Sequence, residues 1–463
     1  MEADHGLGSW IRRRALAAPD DVALIQDGAA MTYAQMDERV RRLASVLAAR
    51  GVGPGSRVAY QGPNHRVALE SLFATTGLGA AWVPVLEGRP DADVDHIMQD
   101  SGAELLIAPA GSNARGRDLL TLEAADGSPS ASLPPAPAVA MDAVAILGYT
   151  SGTTGRPKGA ILTHANLTWN VLNMLSACEF GAGSRTLALA PFTRLGGLGV
   201  FVLETLFVGG TIVIPEPSRG LLDTVVSERI THLFANPAPL AEIAGDEGWE
   251  DADLSRIREG VVGGSMVPES LLRTYLDKGV PLRHGYGLTE AAPVVTLLDQ
   301  RDALRKFGSV GKPLGLVDVA VDAPSGQIGE ILVRGPNVIS GYLNVPTEAK
   351  PEDWWRTGDA GRIDDEGFLY VVDRVSERMD FGDATLYPAE IEQLLHDRPG
   401  VADVAALADG VRLVLFLVRD PGEELRLPET IHGLSFETRE VDAIPRNAAG
   451  KILRDGLRAQ LDA

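Results

Sequence analysis

The stretch YTSGTTGRPKGA, residues 149–160, follows the apolar run AVAILG and contains three glycines, three threonines, one serine and one lysine. Glycine lets the backbone approach a ligand closely, and successive backbone amides with nearby hydroxyl groups can surround phosphate oxygens. The lysine adds a mobile positive charge. This composition directly behind an apolar strand predicts a phosphate-binding loop rather than a plain turn.

The loop differs from that of the P-loop ATPases, in which serine or threonine follows the lysine at the start of a helix. Here Pro157 precedes Lys158, and Gly159 and Ala160 follow it. The sequence therefore predicts a phosphate-binding loop of another kind.

Apolar segments and helix signals alternate through the first part of the chain. Residues 32–50 predict a helix, because Thr32 and Gln35 form a capping box and Gly51 can end the helix. Its apolar face is expected to consist of Met36, Val40, Leu43 and Leu47. A strand is expected at residues 57–60, and the segments AAWVPV, AELLIA and GGTIVIP continue the alternation. The pattern favours an α/β fold with layered subdomains.

The pattern changes near residue 372. RIDDEGFLYVVDR, residues 362–374, predicts a hairpin, and VRLVLFLV, residues 411–418, predicts a strand. The last ~90 residues are enough for a small α+β domain, and PGEELRLPETIHGL, residues 421–434, shows little helical periodicity. Residues 124–140, rich in Pro, Ala and Ser, are expected to form a surface connection.

Composition excludes several classes of protein. The chain has 42 basic and 63 acidic residues, a net charge of −21, which disfavours nucleic acid and anionic lipid as partners. Cys178 is the single cysteine, so no internal disulfide forms, and it is expected to be a small buried apolar residue. The start of the sequence lacks a signal-peptide layout, and no apolar stretch approaches the roughly 20 residues of a membrane span. These features predict a cytoplasmic protein.

Four further motifs follow the loop in order. They are GYGLTE at residues 285–290, RTGD at 356–359, VDR at 372–374 with YPAEIE at 387–392, and PRNAAGK at 445–451. Together with YTSGTTGRPKG they resemble the adenylate-forming superfamily of acyl-CoA synthetases, luciferases and peptide-synthetase adenylation domains. The resemblance implies a large AMP-binding domain over residues 1–373, a hinge at 374–376, and a small, mobile and trimmed α+β domain over 377–463.

The resemblance also implies a reaction in which a carboxylate attacks the α-phosphate of ATP and releases pyrophosphate. Thr289 would bind the α-phosphate, Glu290 would hold Mg²⁺, and Lys451 would bridge the carboxylate and the α-phosphate. Tyr286 would stack on adenine, and Asp359 and Arg374 would bind the ribose. The nucleotide would further contact Thr150, Ser151, Gly152, Thr153, Thr154, Gly155, Lys158, Gly264 and Gly287.

The sequence departs from the family pattern at positions that bear on the acid and on the acceptor. In LAPFTRLGGLG, Arg194 stands where the family has a gating histidine, and it either pairs an anion in the acid pocket or turns to solvent. The hinge residue is Ser376 instead of Asp or Lys, and the loop that lines the pantetheine tunnel in the family reads FGDAT, with Asp383 in place of a glycine. Candidate residues of the acid pocket are Arg194, Gly196, Asn236 and Gly285.

These observations leave the acceptor open. One hypothesis is an acid:CoA ligase-like enzyme, which passes the acyl group to the thiol of CoA or of a carrier-protein pantetheine. A second has an amine capture the adenylate, or has a small oxyanion such as nitrite activated for N–N bond formation. A third is a non-catalytic nucleotide-binding protein, against which the retention of Lys451 and Glu290 argues.

Overall fold

The computed structural model describes residues 5–127, 138–151, 156–265, 267–346, 353–382, 384–396, 398–446 and 452–461. The chain divides into two compact units. The first comprises Met1–Val319 and Val333–Trp355, and the second comprises Ala320–Leu332 and Arg356–Ala463. The hinge at residues 374–376 and the domain bounds drawn around it stay predictions, because packing defines compact units whereas a hinge is defined by motion.

The α-helices of the described ranges are, in chain order, α1 (Trp10–Ala17), α2 (Tyr33–Ala49), α3 (Arg66–Gly77), α4 (Asp91–Ser101), α5 (Leu122–Asp126), α6 (His164–Ala177), α7 (Leu195–Gly199), α8 (Val202–Val208), α9 (Leu221–Ser227), α10 (Pro237–Ala244), α11 (Glu269–Asp277), α12 (Pro388–His396) and α13 (Arg454–Arg458). Short 3-10 helices cover Leu7–Ser9, Thr289–Ala291, Gln300–Asp302 and Val375–Glu377. None of the helices in these ranges combines the length and the apolar character that crossing a bilayer requires.

The strands of the described ranges are β1 (Val22–Gln26), β2 (Ala29–Thr32), β3 (Arg57–Gln61), β4 (Ala81–Val85), β5 (Leu105–Ala108), β6 (Asp118–Thr121), β7 (Val144–Ser151), β8 (Pro157–Thr163), β9 (Arg185–Leu187), β10 (Thr211–Ile214), β11 (His232–Ala235), β12 (Glu259–Gly263), β13 (Leu282–Gly287), β14 (Val294–Leu297), β15 (Lys312–Pro313), β16 (Asp318–Asp322), β17 (Gly329–Arg334), β18 (Trp355–Ile363), β19 (Leu369–Arg374), β20 (Met379–Phe381), β21 (Ala384–Leu386), β22 (Val401–Asp409), β23 (Arg412–Arg419) and β24 (Phe436–Glu440).

Two sheets form the first unit. The described strands build a nine-stranded sheet in the order β15-β14-β13-β12-β11-β9-β10-β1-β2 and a six-stranded sheet in the order β6-β5-β3-β4-β7-β8. Their inner pairs, such as β11–β12, β12–β13, β3–β4 and β4–β7, are parallel. Strands buried on both faces read as continuous apolar runs, and all five residues of β4 are buried. The structure confirms the predicted α/β fold class.

Helix α2 shows how local sequence fixes an element. The hydroxyl of Thr32 accepts a hydrogen bond from the backbone N–H of Gln35, and the Gln35 side chain accepts one from the Thr32 N–H, as the capping box predicts. The four residues of the predicted face are buried, and Gly51, with φ of +87°, follows the last turn. The strands predicted at residues 57–60, 80–85, 103–108 and 209–215 are also present, as β3, β4, β5 and β10.

The core of the first unit consists mainly of aliphatic side chains, among which a few large aromatic ones pack between helices and sheets. Tyr60 and Trp82 stack with ring centroids 5.9 Å apart, and both are fully buried with Phe73 in one cluster. Burying each side chain of this size stabilises the fold by about 1.5–3 kcal/mol. The apolar strands are thereby held rigidly, so the loops at their ends have fixed starting points.

A buried amide joins the helices that border the site. Asn170 of α6 donates from Nδ2 to the carbonyl oxygen of Gly199 at 2.8 Å and to Glu204 Oε1 at 3.2 Å. Its Oδ1 accepts from the Val294 N–H at 3.0 Å. Glu204 is fully buried, and this desolvation raises the pKa of its carboxyl to about 8. One side chain therefore ties α6 to α7, α8 and β14.

The second unit contains smaller sheets. Strands β22 and β23 form an antiparallel hairpin with β24 parallel to β23, and β18 and β19 form the hairpin predicted at residues 362–374. The predicted strand at residues 411–418 is β23. A buried ion pair, Arg454 Nη2 to Glu392 Oε1 at 2.6 Å, joins α13 to α12. The segment 421–434 contains no helix, as its prolines predict.

One expectation about a connection is partly wrong. Residues 124–126 of the predicted surface connection belong to helix α5, because the Thr121 hydroxyl caps this helix and Leu122 and Ala125 are buried. Residues 138–140 lie outside any helix or strand, and residues 128–137 lie outside the described ranges. Cys178 is buried as expected, and its burial raises the pKa of the thiol.

Candidate functional site

The predicted phosphate loop joins two antiparallel strands, β7 and β8. Their register places Thr150 opposite Lys158. A β-carbon added to Gly159 would come within 2.9 Å of the Tyr149 ring, so a larger residue there would displace this ring. The strand–loop–strand arrangement agrees with the departure from the P-loop ATPase signature, whose loop leads into a helix. The predicted contacts Gly152, Thr153, Thr154 and Gly155 lie outside the described residues, and Ser151 is described only as the last residue of β7.

The structure brings Glu290 to this hairpin. The Thr150 hydroxyl lies 3.4 Å from Glu290 Oε1, and the Tyr342 hydroxyl donates to the same oxygen at 2.6 Å. Lys158 Nζ stands 5.7 Å from the centre of the Tyr342 ring. Glu290 is only 8% exposed. Residues from two predicted motifs therefore meet around one buried carboxylate.

Tyr342 was missed by the sequence analysis. Its segment pairs with β8, because the Ile161 N–H donates to the Gly341 carbonyl at 3.1 Å and the Leu343 N–H donates to the Gly159 carbonyl at 2.8 Å. The ring of Tyr342 also lies 5.5 Å from that of Trp355. No local pattern marks this tyrosine, since its partners on β8 and at Glu290 are distant in sequence.

The second motif forms the end of β13 and the turn after it. Gly285 pairs with Gly263 of β12, and Gly264 follows with φ of +81°, a conformation that favours glycine. A β-carbon on Gly287 would overlap the Pro293 carbonyl oxygen at 2.0 Å. Tyr286 pairs with Thr296 of β14. Position 287 of the GYGLTE motif therefore has no room for a side chain beside the backbone of Pro293.

Thr289 connects this turn to the first motif. A β-carbon placed on Gly148 would come within 2.9 Å of both Thr289 Cγ2 and Leu195 Cδ2. Gly148 precedes the phosphate loop by one residue, so Thr289 and the start of α7 both lie against the end of β7. Thr289 opens the 3-10 helix that also carries Glu290.

The four candidates for the acid pocket come from three segments. Gly196 of α7 faces the ring of Phe234 on β11. A β-carbon added to Gly196 would lie 3.5 Å from Phe234 Cε1. Asn236 follows β11 directly and is the N-cap residue of α10. Gly285 lies on β13, two strands along from β11 in the sheet. Arg194 precedes α7, and its side chain is exposed.

The remaining predicted residues belong to the second unit. Asp359 and Arg374 are paired in the β18–β19 hairpin, and Arg374 Nε lies 3.0 Å from Asp359 Oδ1. Asp359 is 9% exposed, and Arg374 also donates to the Thr357 carbonyl at 3.2 Å. The structure therefore holds the two predicted ribose ligands next to each other.

The lysine loop is described only at its two ends. Arg446 and Ile452 form an antiparallel bridge, and the Leu453 N–H donates to the Pro445 carbonyl at 2.8 Å. Residues 447–451, including Lys451, lie outside the described residues. The two described ends of the motif are thus held close together.

Comparisons with known proteins agree with the arrangement of the motifs. The AMP-binding enzyme family matches residues 11–343. The chain is 38% identical to a feruloyl-CoA synthase of Amycolatopsis sp, covering 98% of this chain and 99% of the relative, and 35% identical to an indoleacetate–CoA ligase of Aromatoleum aromaticum, covering 98% and 97%. Among solved structures, O-succinylbenzoate coenzyme A synthetase from Bacillus subtilis, in complex with ATP and magnesium ion, is similar with a TM-score of 0.88 and 27% identity, covering 97% of this chain and 99% of that one.

These relatives are named for joining an acid to CoA, which supports the thiol over the amine as acceptor. They also confirm the activity class expected from the five motifs, that of an AMP-forming acid–thiol ligase. The family match covers more than half of the chain, and the relatives match it along nearly its whole length. The chain belongs to the AMP-binding enzyme family of the adenylate-forming superfamily.

Proposed function

We propose that this protein activates a small carboxylic acid with ATP, releases pyrophosphate, and transfers the acyl group from the adenylate to the thiol of CoA. The convergence of Thr150, Lys158 and Glu290 at the end of one hairpin carries the proposal. A hydroxyl, an ammonium group and a buried carboxylate suit phosphate oxygens and the cation that accompanies them. The CoA ligases among the relatives support the acceptor.

Each predicted residue then has a task. Lys158, Thr150 and the loop residues after it bind the β- and γ-phosphates, and Thr289 binds the α-phosphate. Tyr286 stacks on adenine beside Gly264 and Gly287. Asp359 accepts hydrogen bonds from the ribose hydroxyls, and Arg374, already paired with it, adds a second contact. Lys451 binds the incoming carboxylate and the α-phosphate, where two anions approach each other and need a positive charge.

Glu290 suits a magnesium ion. Its carboxylate is buried, and both hydroxyl donors bond Oε1, which leaves Oε2 for a cation. Within the described ranges no three His, Cys, Asp or Glu residues form a cluster that could hold a metal. Mg²⁺ would therefore be bound by this carboxylate together with phosphate oxygens and water, its usual environment at nucleotides. When bound, it neutralises charge on the phosphate oxygens.

The segments expected to affect acyl transfer remain unlike the family pattern. Ser376 lies in the 3-10 helix Val375–Glu377. The FGDAT segment runs from the end of β20 into β21, where Phe381 pairs with Ala384 and Gly382 has φ of +75°. Asp383 lies outside the described residues. A carrier-protein pantetheine is the second thiol acceptor compatible with these changes, and the cytoplasm, where CoA is available, is the proposed location.

Pyrophosphate–ATP exchange tests the first half-reaction. Purified protein is assayed with Mg²⁺ and a panel of acids that includes nitrite, and acid-dependent exchange is expected for at least one carboxylic acid. AMP release is then followed with CoA, a carrier protein or an amine, and release with CoA is expected. If none of the acids supports exchange although the protein binds ATP measurably, a non-catalytic nucleotide-binding protein is favoured. If AMP is released only with an amine, the amide-forming alternative is favoured.

Lys451→Ala provides a matched variant. It should lower the exchange rate by about 10²–10³-fold, because a fixed positive charge at the reacting anions is lost, while the affinity for ATP changes little. The control is Lys278→Ala, which removes the lysine at the C-terminal cap of helix α11. Exchange by Lys451→Ala at the wild-type rate would contradict the role given to this residue.

A further inference from the structure

Helix α4 packs against the hairpin that carries Thr150 and Lys158. Apolar side chains of the helix and of β7 belong to one buried cluster, which includes Val94, Ile97, Met98, Leu147 and Tyr149. Burial of this apolar surface stabilises the contact and fixes the helix relative to the strand. Polar groups on the same helix are therefore held at constant distances from the hairpin.

Two backbone carbonyls of the hairpin point away from the partner strand. The Gly159 carbonyl accepts from the Leu343 N–H, outside the hairpin, so the facing pair Tyr149–Gly159 turns its backbone groups outward. Such pairs alternate along an antiparallel ladder, and Pro157 lies two residues from Gly159. Because Tyr149 and Pro157 are both buried, their carbonyls need partners from elsewhere in the molecule.

His96 of α4 supplies the partner beside Lys158. Its Nε2 donates to the Pro157 carbonyl at 2.9 Å, because a carbonyl oxygen can only accept a hydrogen bond. This carbonyl belongs to the peptide group that joins Pro157 to Lys158. Rotation of that peptide group would change the direction of the lysine side chain, so His96 restrains Lys158 through the backbone.

Tyr149, the residue before Thr150, is held at two of its atoms. Arg89, which precedes α4, donates from Nη2 to the Tyr149 carbonyl at 3.1 Å. The Tyr149 hydroxyl donates to Asp100 Oδ2 at 2.7 Å. Both the backbone and the ring of Tyr149 are therefore bonded to α4 or to the residues just before it, and these bonds fix the backbone from which Thr150 continues.

Asp100 also joins a third part of the site. Its Oδ1 and its backbone carbonyl accept from Asn344 Nδ2, both at 3.0 Å. Asn344 lies two residues after Tyr342, whose hydroxyl bonds Glu290. The carboxylate of Asp100 thus connects the strand of Thr150 with the segment that orients the proposed magnesium ligand.

We propose that His96 and Asp100 are positioning residues, which keep Lys158 and Thr150 at the spacing that binds the β- and γ-phosphates. Neither side chain is assigned a contact with the nucleotide, and each acts through the backbone or the ring that it holds. A site that is restrained in the free protein loses less conformational freedom when a ligand binds, so its affinity is higher. The inference rests on the proposed function and adds two residues from outside the five sequence motifs.

His96→Ala, compared with His96→Gln, tests the restraint on Lys158. Pyrophosphate–ATP exchange is measured over ranges of ATP, pyrophosphate and acid concentration. Loss of one hydrogen bond should raise the KM for ATP and for pyrophosphate by about 2-fold to 10-fold and leave the KM for the acid unchanged. His96→Gln, whose amide keeps an N–H donor, should recover most of this loss. Gln99→Ala, at an exposed position of the same helix, is the control and should match the wild type.

Tyr149→Phe tests the bond to Asp100 separately. It removes the hydroxyl that Asp100 accepts from and keeps the ring against Gly159. The KM for ATP and for pyrophosphate should rise as in His96→Ala. The inference is overturned if both variants keep the wild-type KM for ATP and pyrophosphate, or if the KM for the acid rises equally. A lower Tm with unchanged KM values would make the role of these bonds purely structural and would also overturn it.

A binding measurement separates this inference from the proposed function. Calorimetric titration without acid should show that His96→Ala binds Mg²⁺–ATP and Mg²⁺–pyrophosphate about 2-fold to 10-fold more weakly than the wild type. If no acid supports exchange but this difference in affinity is present, the proposed function fails and the positioning role stands. If exchange occurs and His96→Ala binds both ligands as tightly as the wild type, the proposed function stands and the positioning role fails.

Discussion

Removal of the Tyr342 hydroxyl tests whether the Glu290 carboxylate must be held in place for the reaction. Tyr342→Phe deletes the 2.6 Å hydrogen bond to Glu290 Oε1 and keeps the ring beneath Lys158 and beside Trp355. Hydrogen bonds to charged groups contribute about 1.5–3 kcal/mol. Loss of a partner that orients a metal ligand typically costs about 10-fold to 100-fold in metal affinity or activity. The two ranges agree, so we expect a loss of this size.

The assay is pyrophosphate exchange measured over a series of Mg²⁺ concentrations at fixed ATP and acid. Tyr342→Phe should need about 10-fold to 100-fold more Mg²⁺ for half-maximal exchange. Direct titration of Mg²⁺ into the protein with a non-hydrolysable ATP analogue should show the same change in affinity. A structural role of the hydroxyl alone would lower stability and leave the Mg²⁺ dependence unchanged.

Tyr275→Phe is the matched control. This tyrosine also loses one hydrogen bond, to the Leu240 carbonyl at 2.8 Å, but lies in the core between α10 and α11. It should lose about 0.5–1.5 kcal/mol of stability and retain the wild-type Mg²⁺ dependence. If Tyr342→Phe behaves like Tyr275→Phe, Glu290 is positioned without the tyrosine and the reasoning is wrong.

Three further predictions concern buried polar groups and a helix cap. The unfolded chain loses the Glu204 proton near pH 4.5 and the native protein near pH 8, so native stability falls as pH rises through this window. Glu204→Gln, which cannot ionise, should therefore lose less stability than the wild type over that range, by up to about 1.4 kcal/mol per pH unit in urea unfolding. Arg283→Met should cost about 3–5 kcal/mol because it leaves Glu259, its partner at 3.0 Å, buried without a counter-charge; the exposed Arg258→Met should cost about 0–1 kcal/mol. Thr163→Ala removes the capping box of α6 and should cost about 0.5–2 kcal/mol in thermal unfolding, with the exchange rate at moderate temperature unchanged.

Features that depend on neighbouring residues could be predicted from the sequence. Helix α2 follows from its cap and its apolar spacing, and β4 follows from a short apolar run. The hairpin at residues 362–374 follows from the acidic turn between its strands. Each of these signals lies within a few residues, so the local caps, turns and apolar spacing are enough to predict the element.

Features that depend on distant residues could not be predicted in this way. The Asn170 amide joins Gly199, Glu204 and Val294, and nothing near Asn170 in sequence marks it as more than a helix residue. Tyr342 reaches Glu290 across 52 residues because its segment pairs with β8. Composition indicated the loop that contains Thr150 and Lys158, whereas the role of Glu290 was indicated only by the family resemblance. The pairing of β7 with β8 places Thr150 opposite Lys158, and the Thr150 hydroxyl lies next to Glu290.

The net charge of −21 and the binding of a polyanion are compatible because the two act over different distances. Charges on the surface are screened beyond a Debye length of about 8 Å at physiological ionic strength. Lys158 and Arg89 lie near the end of β7, where a bound phosphate or carboxylate would contact them directly and little solvent would intervene. At contact distance a few positive charges outweigh a larger negative charge spread over the surface. The net charge still disfavours a nucleic acid as a partner, because binding its backbone requires an extended positive surface and this chain is strongly acidic.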